Sequence, residues 1–325
     1  MQDLEKVLMQ EYGISPKSIK YVKNNYIIAD ENARFILKMM NCSKERIQFI
    51  FEAKKHLANK GFSCIDEDIP SLSAEPWISY EDNLFVLSKD IQGNECDFDN
   101  REHVAKASIL LANMHLSSKG FSPSPQVRSI DELGKLPLYF TKRLEELKKL
   151  KKIAKKGKNS FDYLFLENVD YYISLAEECL AELNTSNYMN VVENTRRESL
   201  LCHHDFTHTN IVMCDEQPYL INFNYCCFEI KVYDIANFIR RKMRKCGWDV
   251  KEAWNIIDNY TKVENITGDD FEVLKIMLKY PQKFWRVANK YYNTRRSWGE
   301  KSYLLKLKEV LEEKQEHLNF IKNFT

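Results

Sequence analysis

The sequence predicts an α+β protein in two parts, a small N-terminal lobe built on strands and a larger, mainly helical C-terminal lobe. Three observations carry this. Strand alternation is confined to residues 18–40 and 83–88. Helical spacing of apolar residues dominates from residue 101 onward. A single stretch, 199–224, interrupts the helical part with apolar runs around a polar loop. Period 2 places alternate residues on the two faces of a strand, and period 3.6 draws an apolar stripe along a helix.

Residues 1–13 read as a short amphipathic helix stopped by Gly13. Tyr21 and then Tyr26-Ile27-Ile28 flank the turn signal Asn24-Asn25. In Arg34–Met40, Phe35, Leu37 and Met39 share one face, while Ile36, Lys38 and Met40 share the other. Ser43 is the expected cap of a helix running to Asn59, with Gly61 as its stop. Asn83–Ser88 reads as a buried strand, and Trp77-Ile78 as part of the one before it. Helices are expected from 101, over 138–156 and 162–183, then at 233–245, 250–262, 268–279, 281–294 and 300–323. The organisation expected is a lobe over 1–88, a linker over 89–100, and a helical lobe over 101–325. A cleft between two lobes is a usual place for a ligand.

Composition narrows the classes. The 325 residues are 44% apolar and 29% charged, with a net charge of +1. That balance gives no general attraction to nucleic acid or membrane surfaces. No run is long and apolar enough for a membrane span, and the N-terminus lacks the pattern of a signal peptide. The nine cysteines are scattered without a C-x-x-C pair, which suits buried free thiols in a reducing compartment. Nine Lys or Arg against two Glu between Lys142 and Lys158 read first as a solvated helix face. His203, His204 and His208 lie on a loop, where helical metal-ligand spacing does not apply, and His115 reads as a packed core histidine.

The densest chemistry is in Cys202-His203-His204-Asp205-Phe206-Thr207-His208-Thr209-Asn210, followed by a turn and the strand Tyr219–Asn224. Phosphoryl transfer needs a carboxylate to orient the attacking hydroxyl and oxygen ligands for Mg²⁺. An Asp and an Asn on one loop, with an acid on the facing strand, would supply both.

This pattern resembles the aminoglycoside phosphotransferase and choline kinase superfamily, whose fold is protein-kinase-like. The resemblance implies Asp205 as catalytic base and His204 as the residue that orders its loop. It implies Asn210 as a metal ligand and Asp234, in Tyr233-Asp234-Ile235-Ala236, as a brace for the catalytic loop. It makes Lys38 the phosphate-binding lysine, with Glu52 as its ion-pair partner and Glu45 as the weaker candidate. Ser88, Asp90 and Ile91 fall in the hinge that would meet adenine.

Further segments are similar to the CotS family of spore coat proteins. They are Asp90–Asp97, Leu111–His115 with Ser118–Phe121, Phe161-Asp162, and Tyr280–Trp285 with Tyr291, Tyr292 and Trp298. That similarity implies other coat proteins as partners, synthesis in the mother-cell cytoplasm and deposition on the spore, with ATP and Mg²⁺ as the ligands of an inherited site. The aromatic set at 280–298 reads as core before it reads as a cation box.

Two departures oppose catalysis. The expected metal-binding acid is Asn222, and the second acid of that motif is Asn224. No glycine lies between Gly13 and Gly61, where a phosphate loop would place one. The expectation is a kinase-like protein with impaired or absent catalysis, and the alternative is an active ATP/Mg²⁺ phosphotransferase.

Overall fold

The computed structural model describes residues 2–31, 33–244, 246–293 and 299–325. In chain order the elements are α1 (Gln2–Tyr12), β1 (Ser18–Val22), β2 (Asn25–Ala29), β3 (Arg34–Met40), α2 (Lys44–Asn59), β4 (Asp68–Ile69), β5 (Ile78–Tyr80), β6 (Asn83–Lys89), β7 (Asn94–Glu95) and α3 (Arg101–Ser118). Next come α4 (Leu136–Ala154), α5 (Ser160–Thr185), α6 (Tyr188–Glu198), β8 (Leu201–Cys202), β9 (Ile211–Cys214), β10 (Gln217–Leu220), β11 (Cys227–Phe228) and α7 (Val232–Met243). The chain ends with α8 (Val250–Tyr260), α9 (Gly268–Lys279), α10 (Gln282–Asn293), α11 (Glu300–Glu312) and α12 (Lys314–Asn323).

The chain forms two compact units. The first holds residues up to Asp131 with Glu198–Phe228 and Asn259–Glu264, and the second holds the remainder. The first thus combines the N-terminal sheet, α3 and the hairpin at 199–224. In its main sheet the strands run β1-β2-β3-β6-β4, with β5 also on β6, and every pair is antiparallel. The β1–β2 turn falls on Lys23-Asn24, at φ 48° and 65°. Two successive positive φ values match the twist of a tight hairpin, and Asn tolerates them well.

Alternation along β3 does what its pattern implies. Leu37 is buried with Leu4 and Leu8 of α1, Ile28, Phe85 and Leu87, while Phe35 and Met39 pack on the same cluster. Lys38 stands on the opposite face. Ser43 Oγ accepts the Arg46 N–H at 3.3 Å and so caps α2, which buries Ile47, Phe49, Ile50, Ala53 and Leu57.

A second small sheet runs β10-β9-β7 and brings the linker residues Asn94 and Glu95 onto Met213 and Val212. Two-residue strands such as β4 and β7 are too short for alternation to reveal. The polar helix α6, absent from the sequence expectation, buries only a narrow stripe of Tyr188, Val191, Val192 and Thr195. The last expected helix divides at Glu313 into α11 and α12.

The second unit is helical. Its core is held by stacked aromatics: Phe161 on Tyr291, Tyr172 on Phe284 and Phe140 on Tyr280, each pair with centroids 3.8 Å apart. Asn159 and Asp162 form a reciprocal cap of α5, and the Tyr292 hydroxyl donates to Asp162 at 2.7 Å. The aromatic set at 280–292 is therefore structural, while Trp298 lies outside the described residues. The basic helix α4 pairs with α5 through Lys148–Glu177 at 2.6 Å and through Lys151–Asp170.

Gly93 tests the β7 attachment, because a Cβ there would stand 2.1 Å from the Met213 carbonyl oxygen. Gly93→Ala is expected to destabilise the protein by about 1–3 kcal/mol in urea denaturation, as overpacking does. Gly268→Ala, with open space around its Cβ, is expected to be neutral or slightly stabilising. Equal effects of the two would contradict this account of β7.

Candidate active site

The site is assembled within the first unit from three pieces: β3, the segment 64–68 before β6, and the hairpin at 199–224. The hairpin begins with His203, which is fully buried. Its Nδ1 accepts the Asp205 N–H at 3.3 Å, which leaves the proton on Nε2 to donate to the Ile221 carbonyl at 3.0 Å. His203 thereby fixes both strands of the hairpin. The histidine seen to tie this loop is thus the neighbour of the expected His204. His204 takes φ +67° and reverses the chain between His203 and Asp205.

Asp205 is half-buried. Its carboxylate accepts from Asn210 Nδ2 at 2.9 Å, and its carbonyl accepts from the same nitrogen at 2.8 Å. Asn210 is buried and also takes the Ile221 N–H on its carbonyl at 2.9 Å. Its Oδ1 accepts from Asn222 Nδ2 at 2.9 Å, and Asn222 Oδ1 accepts from Lys38 Nζ at 3.4 Å. Asn222 sits in the left-handed region at φ +64°, which Asn enters more readily than most residues. The four expected residues Lys38, Asp205, Asn210 and Asn222 thus form one hydrogen-bonded chain.

Lys38 does not meet Glu52. Its partner is Asp66, at 2.5 Å. Glu52 instead accepts from Gln48 Nε2 at 2.9 Å and from the Ser124 N–H at 2.8 Å. The expectation failed because the partner comes from the segment after α2 and not from α2 itself. Asp66 also binds Lys54 at 3.0 Å, and Lys54 binds Asp68 at 2.5 Å. Asp66 thus takes the place expected of Glu52, and α2 contributes Lys54 to the same carboxylate. The Asp66-Glu67-Asp68 cluster beside Ile65 and Ile69 was the available signal, and it reads from sequence as an ordinary acidic loop.

Backbone stitching fixes this network. Leu220 N–H donates to the Cys64 carbonyl at 2.9 Å, and Asp66 N–H donates to the Leu220 carbonyl at 3.4 Å. Burial acts to raise the Asp66 carboxyl, but Lys38 and Lys54 overcome it and hold the group at about 2. For Asp68, burial prevails over its single partner Lys54, and the neighbouring Asp66 adds to the rise. Burial opposes the Lys54 charge, but the two carboxylates together raise its pKa above the usual lysine value.

Of the residues expected in a hinge, Ser88 is fully buried within β6, and Asp90 pairs with Arg34 at 3.1 Å. The Asp90 N–H is taken by the Arg34 carbonyl at 3.0 Å. Asp234 is fully buried in the first turn of α7.

The residues do not suit a carboxylate-held Mg²⁺. Magnesium favours hard, anionic oxygens in octahedral array. The two positions expected to bind metal, Asn210 and Asn222, are neutral, and the Oδ1 of each accepts a hydrogen bond within the set. Asn224, at the second acid position, offers its backbone carbonyl to Arg46, at 3.1 and 2.7 Å.

Residues 5–324 match the family described as spore coat putative kinase YutH. The chain belongs to that family. Within the curated proteins it is 23% identical over 311 residues to spore coat protein S of Bacillus subtilis, covering 95% of this chain and 88% of the relative. Among solved structures, an aminoglycoside phosphotransferase from Alicyclobacillus acidocaldarius superposes with a TM-score of 0.87 at 20% identity, over 98% of this chain and 94% of that one. The AMP-bound spectinomycin phosphotransferase gives 0.66 at 14% identity, over 98% of both chains. An amicoumacin kinase in complex with AMP-PNP, Ca²⁺ and Ami gives 0.64 at 14% identity, over 100% of this chain and 95% of that one. This member of the YutH family therefore has the kinase-like fold of the aminoglycoside phosphotransferases, as the sequence predicted. No helix among its described residues is long and apolar enough to cross a membrane.

Asp66→Asn is expected to cost about 3–5 kcal/mol, because it leaves two lysines against a neutral amide. A carboxylate whose pKa is depressed on folding contributes stability above its unfolded value, near 3.9, and loses it as pH falls toward the folded value. The wild type should therefore lose stability between about pH 4 and pH 2 through Asp66. Urea denaturation over a pH series should show this loss reduced in the variant; an unchanged acid profile would contradict the assignment.

Proposed function

We propose that this protein acts in spore coat assembly as a kinase-like scaffold that has lost metal-dependent phosphoryl transfer. The carrying observation is Asn222. Its amide donates to Asn210 and accepts from Lys38, closing a neutral set where phosphoryl transfer requires a metal-binding anion. Losing one electrostatic element of a transition-state cradle typically costs on the order of 10²–10³ in rate, and losing the metal costs more.

The coat role draws its support from family membership and from the likeness to spore coat protein S. On this reading the protein is made in the mother-cell cytoplasm, deposited on the spore and partnered by other coat proteins. The division into an N-lobe over 1–88, a hinge over 89–100 and a C-lobe over 101–325 belongs to the same proposal. So does the bracing role of Asp234.

Nucleotide is the ligand the cleft would retain. Solved neighbours carry AMP and AMP-PNP, and here Lys38 would meet the phosphates. With the Asp90 N–H already engaged, adenine would find the backbone at Ile91. The second reading, an active phosphotransferase, is favoured by one feature. Asp205 keeps the half-buried position and the Asn210 contact of a catalytic base.

Thermal shift of the full chain with ATP, with and without Mg²⁺, separates these readings. The scaffold reading expects the same shift in both conditions and no ATP turnover above the blank. Asn222→Asp replaces the donating amide with an anion and is expected to make the ATP shift depend on Mg²⁺. If the unmodified protein transfers phosphate from ATP, and Asp205→Ala abolishes the transfer, the scaffold reading is wrong.

A further inference from the structure

The second unit contains a cavity of about 70 Å³ that no step of phosphoryl transfer uses. At about 10–15 Å³ per enclosed water it has room for several waters, the scale of a phosphate group. It lies between α5, the C-terminal turn of α7, the start of α10 and the junction of α11 with α12. Its basic lining is Arg240, Arg241, Arg244, Lys283, Arg286 and Lys314, against the single carboxylate Glu313. A chain with a net charge of +1 has concentrated its cations here.

That carboxylate is already engaged. Glu313 accepts from Lys283 at 2.6 Å and from the Trp248 indole at 3.5 Å. No carboxylate among the described residues is in ion-pair contact with Arg240, Arg244 or Arg286. Arg240 is held from one side by the Met277 carbonyl and by Asn237 Oδ1 at 3.3 Å. Both of those partners are neutral. Partial burial pulls Arg240 down to about 9; Tyr233 opposes this, and Arg143, Arg286 and Arg244 each add a smaller lowering effect. Arg286 is lowered by the same burial and then by Arg244, Arg241 and Arg143. Guanidinium stays protonated at any ordinary pH, so burial first and repulsion among the arginines second leave charge here that a bound anion would compensate.

Helix electrostatics do not account for the cluster. Arginines at the C-terminal end of α7 complement its dipole, an effect of a few tenths to about 1 kcal/mol. Lys283 in the first turn of α10 and Arg286 just beyond it do the reverse, since that turn has no acid and its free N–H groups favour an anion. A further donor waits there: the Tyr171 hydroxyl is buried without a hydrogen-bond partner, and Lys314 Nζ stands 3.7 Å from the centre of its ring. Half-buried Arg240 and Arg286 with exposed Arg244 leave the site open to solvent.

We propose that this cavity is an anion site for a small phosphorylated molecule, with Arg240, Arg244 and Arg286 receiving the phosphate. Planar guanidinium groups bind phosphate through paired, charge-assisted hydrogen bonds, and the aromatic wall of Trp248 suits the organic part of such a ligand. The site is independent of the nucleotide proposal, because Lys38 and Asn222 take no part in it.

The test is calorimetric titration of the full chain with sodium pyrophosphate, followed by glucose 6-phosphate and by sulfate, with Trp248 as a fluorescence reporter. Pyrophosphate is expected to bind in the wild type and equally in Lys38→Ala. Arg286→Gln and the exposed, fold-safe Arg244→Gln should each weaken it at least tenfold. Without ligand, Arg286→Gln should melt no lower than the wild type, because it relieves repulsion. Glucose 6-phosphate binding above sulfate identifies a phosphomonoester site; sulfate binding as tightly as both phosphates overturns the proposed selectivity for a phosphorylated ligand. Absence of binding at millimolar pyrophosphate, or binding lost in Lys38→Ala but kept in Arg244→Gln, overturns the site.

Discussion

Asp66 shared between two lysines is the contact on which the first unit depends. Lys38 reaches it from the sheet and Lys54 from α2, while the backbone on either side of Asp66 is stitched to Leu220 of the hairpin. One carboxylate therefore holds the sheet, the helix and the hairpin in fixed relation. Removing charges from water is expensive, so such a network contributes little net stability against a well-packed apolar alternative. Its strength lies in what it forbids. Any rearrangement that separates the three pieces would leave a charge buried without its partner. The position of Lys38 beside Asn222 follows from that constraint.

This bears on the residues that match the phosphotransferase pattern. Lys38 has a structural duty as a partner of Asp66, and Asn210 has one as the residue that ties Asp205 to the Ile221 backbone. Their presence is accounted for without catalysis. Asn222 is different, because a carboxylate at that position would also accept from Lys38 but could not donate to Asn210. The amide suits the closed hydrogen-bonded chain, and the anion would suit a metal. The residues present form the first of these.

The second unit shows how far local charge can depart from the total. Stacked aromatics and reciprocal caps supply its packing, and its basic residues mostly find partners, as Lys279 does with Glu178 and Glu182 at 2.6 and 2.7 Å. Arg240, Arg244 and Arg286 stand apart from that pattern. Balanced composition conceals this, because charges on three separate helices meet only after folding.

Much was legible in the sequence because it is written in local periodicity and local chemistry. The alternation of Phe35, Leu37 and Met39 sets the core face of β3, and so places Lys38 on the other face. The spacing of Asp205, Asn210 and Asn222 on one hairpin brings them together through a short chain segment. What needed the tertiary structure was every partnership across long separations. Asp66 in the place expected of Glu52, Lys54 on the same carboxylate, and His203 as the histidine that ties the loop depend on backbone direction and on which face a neighbour presents. Sequence spacing fixes the face of an element, but only packing determines what that face meets.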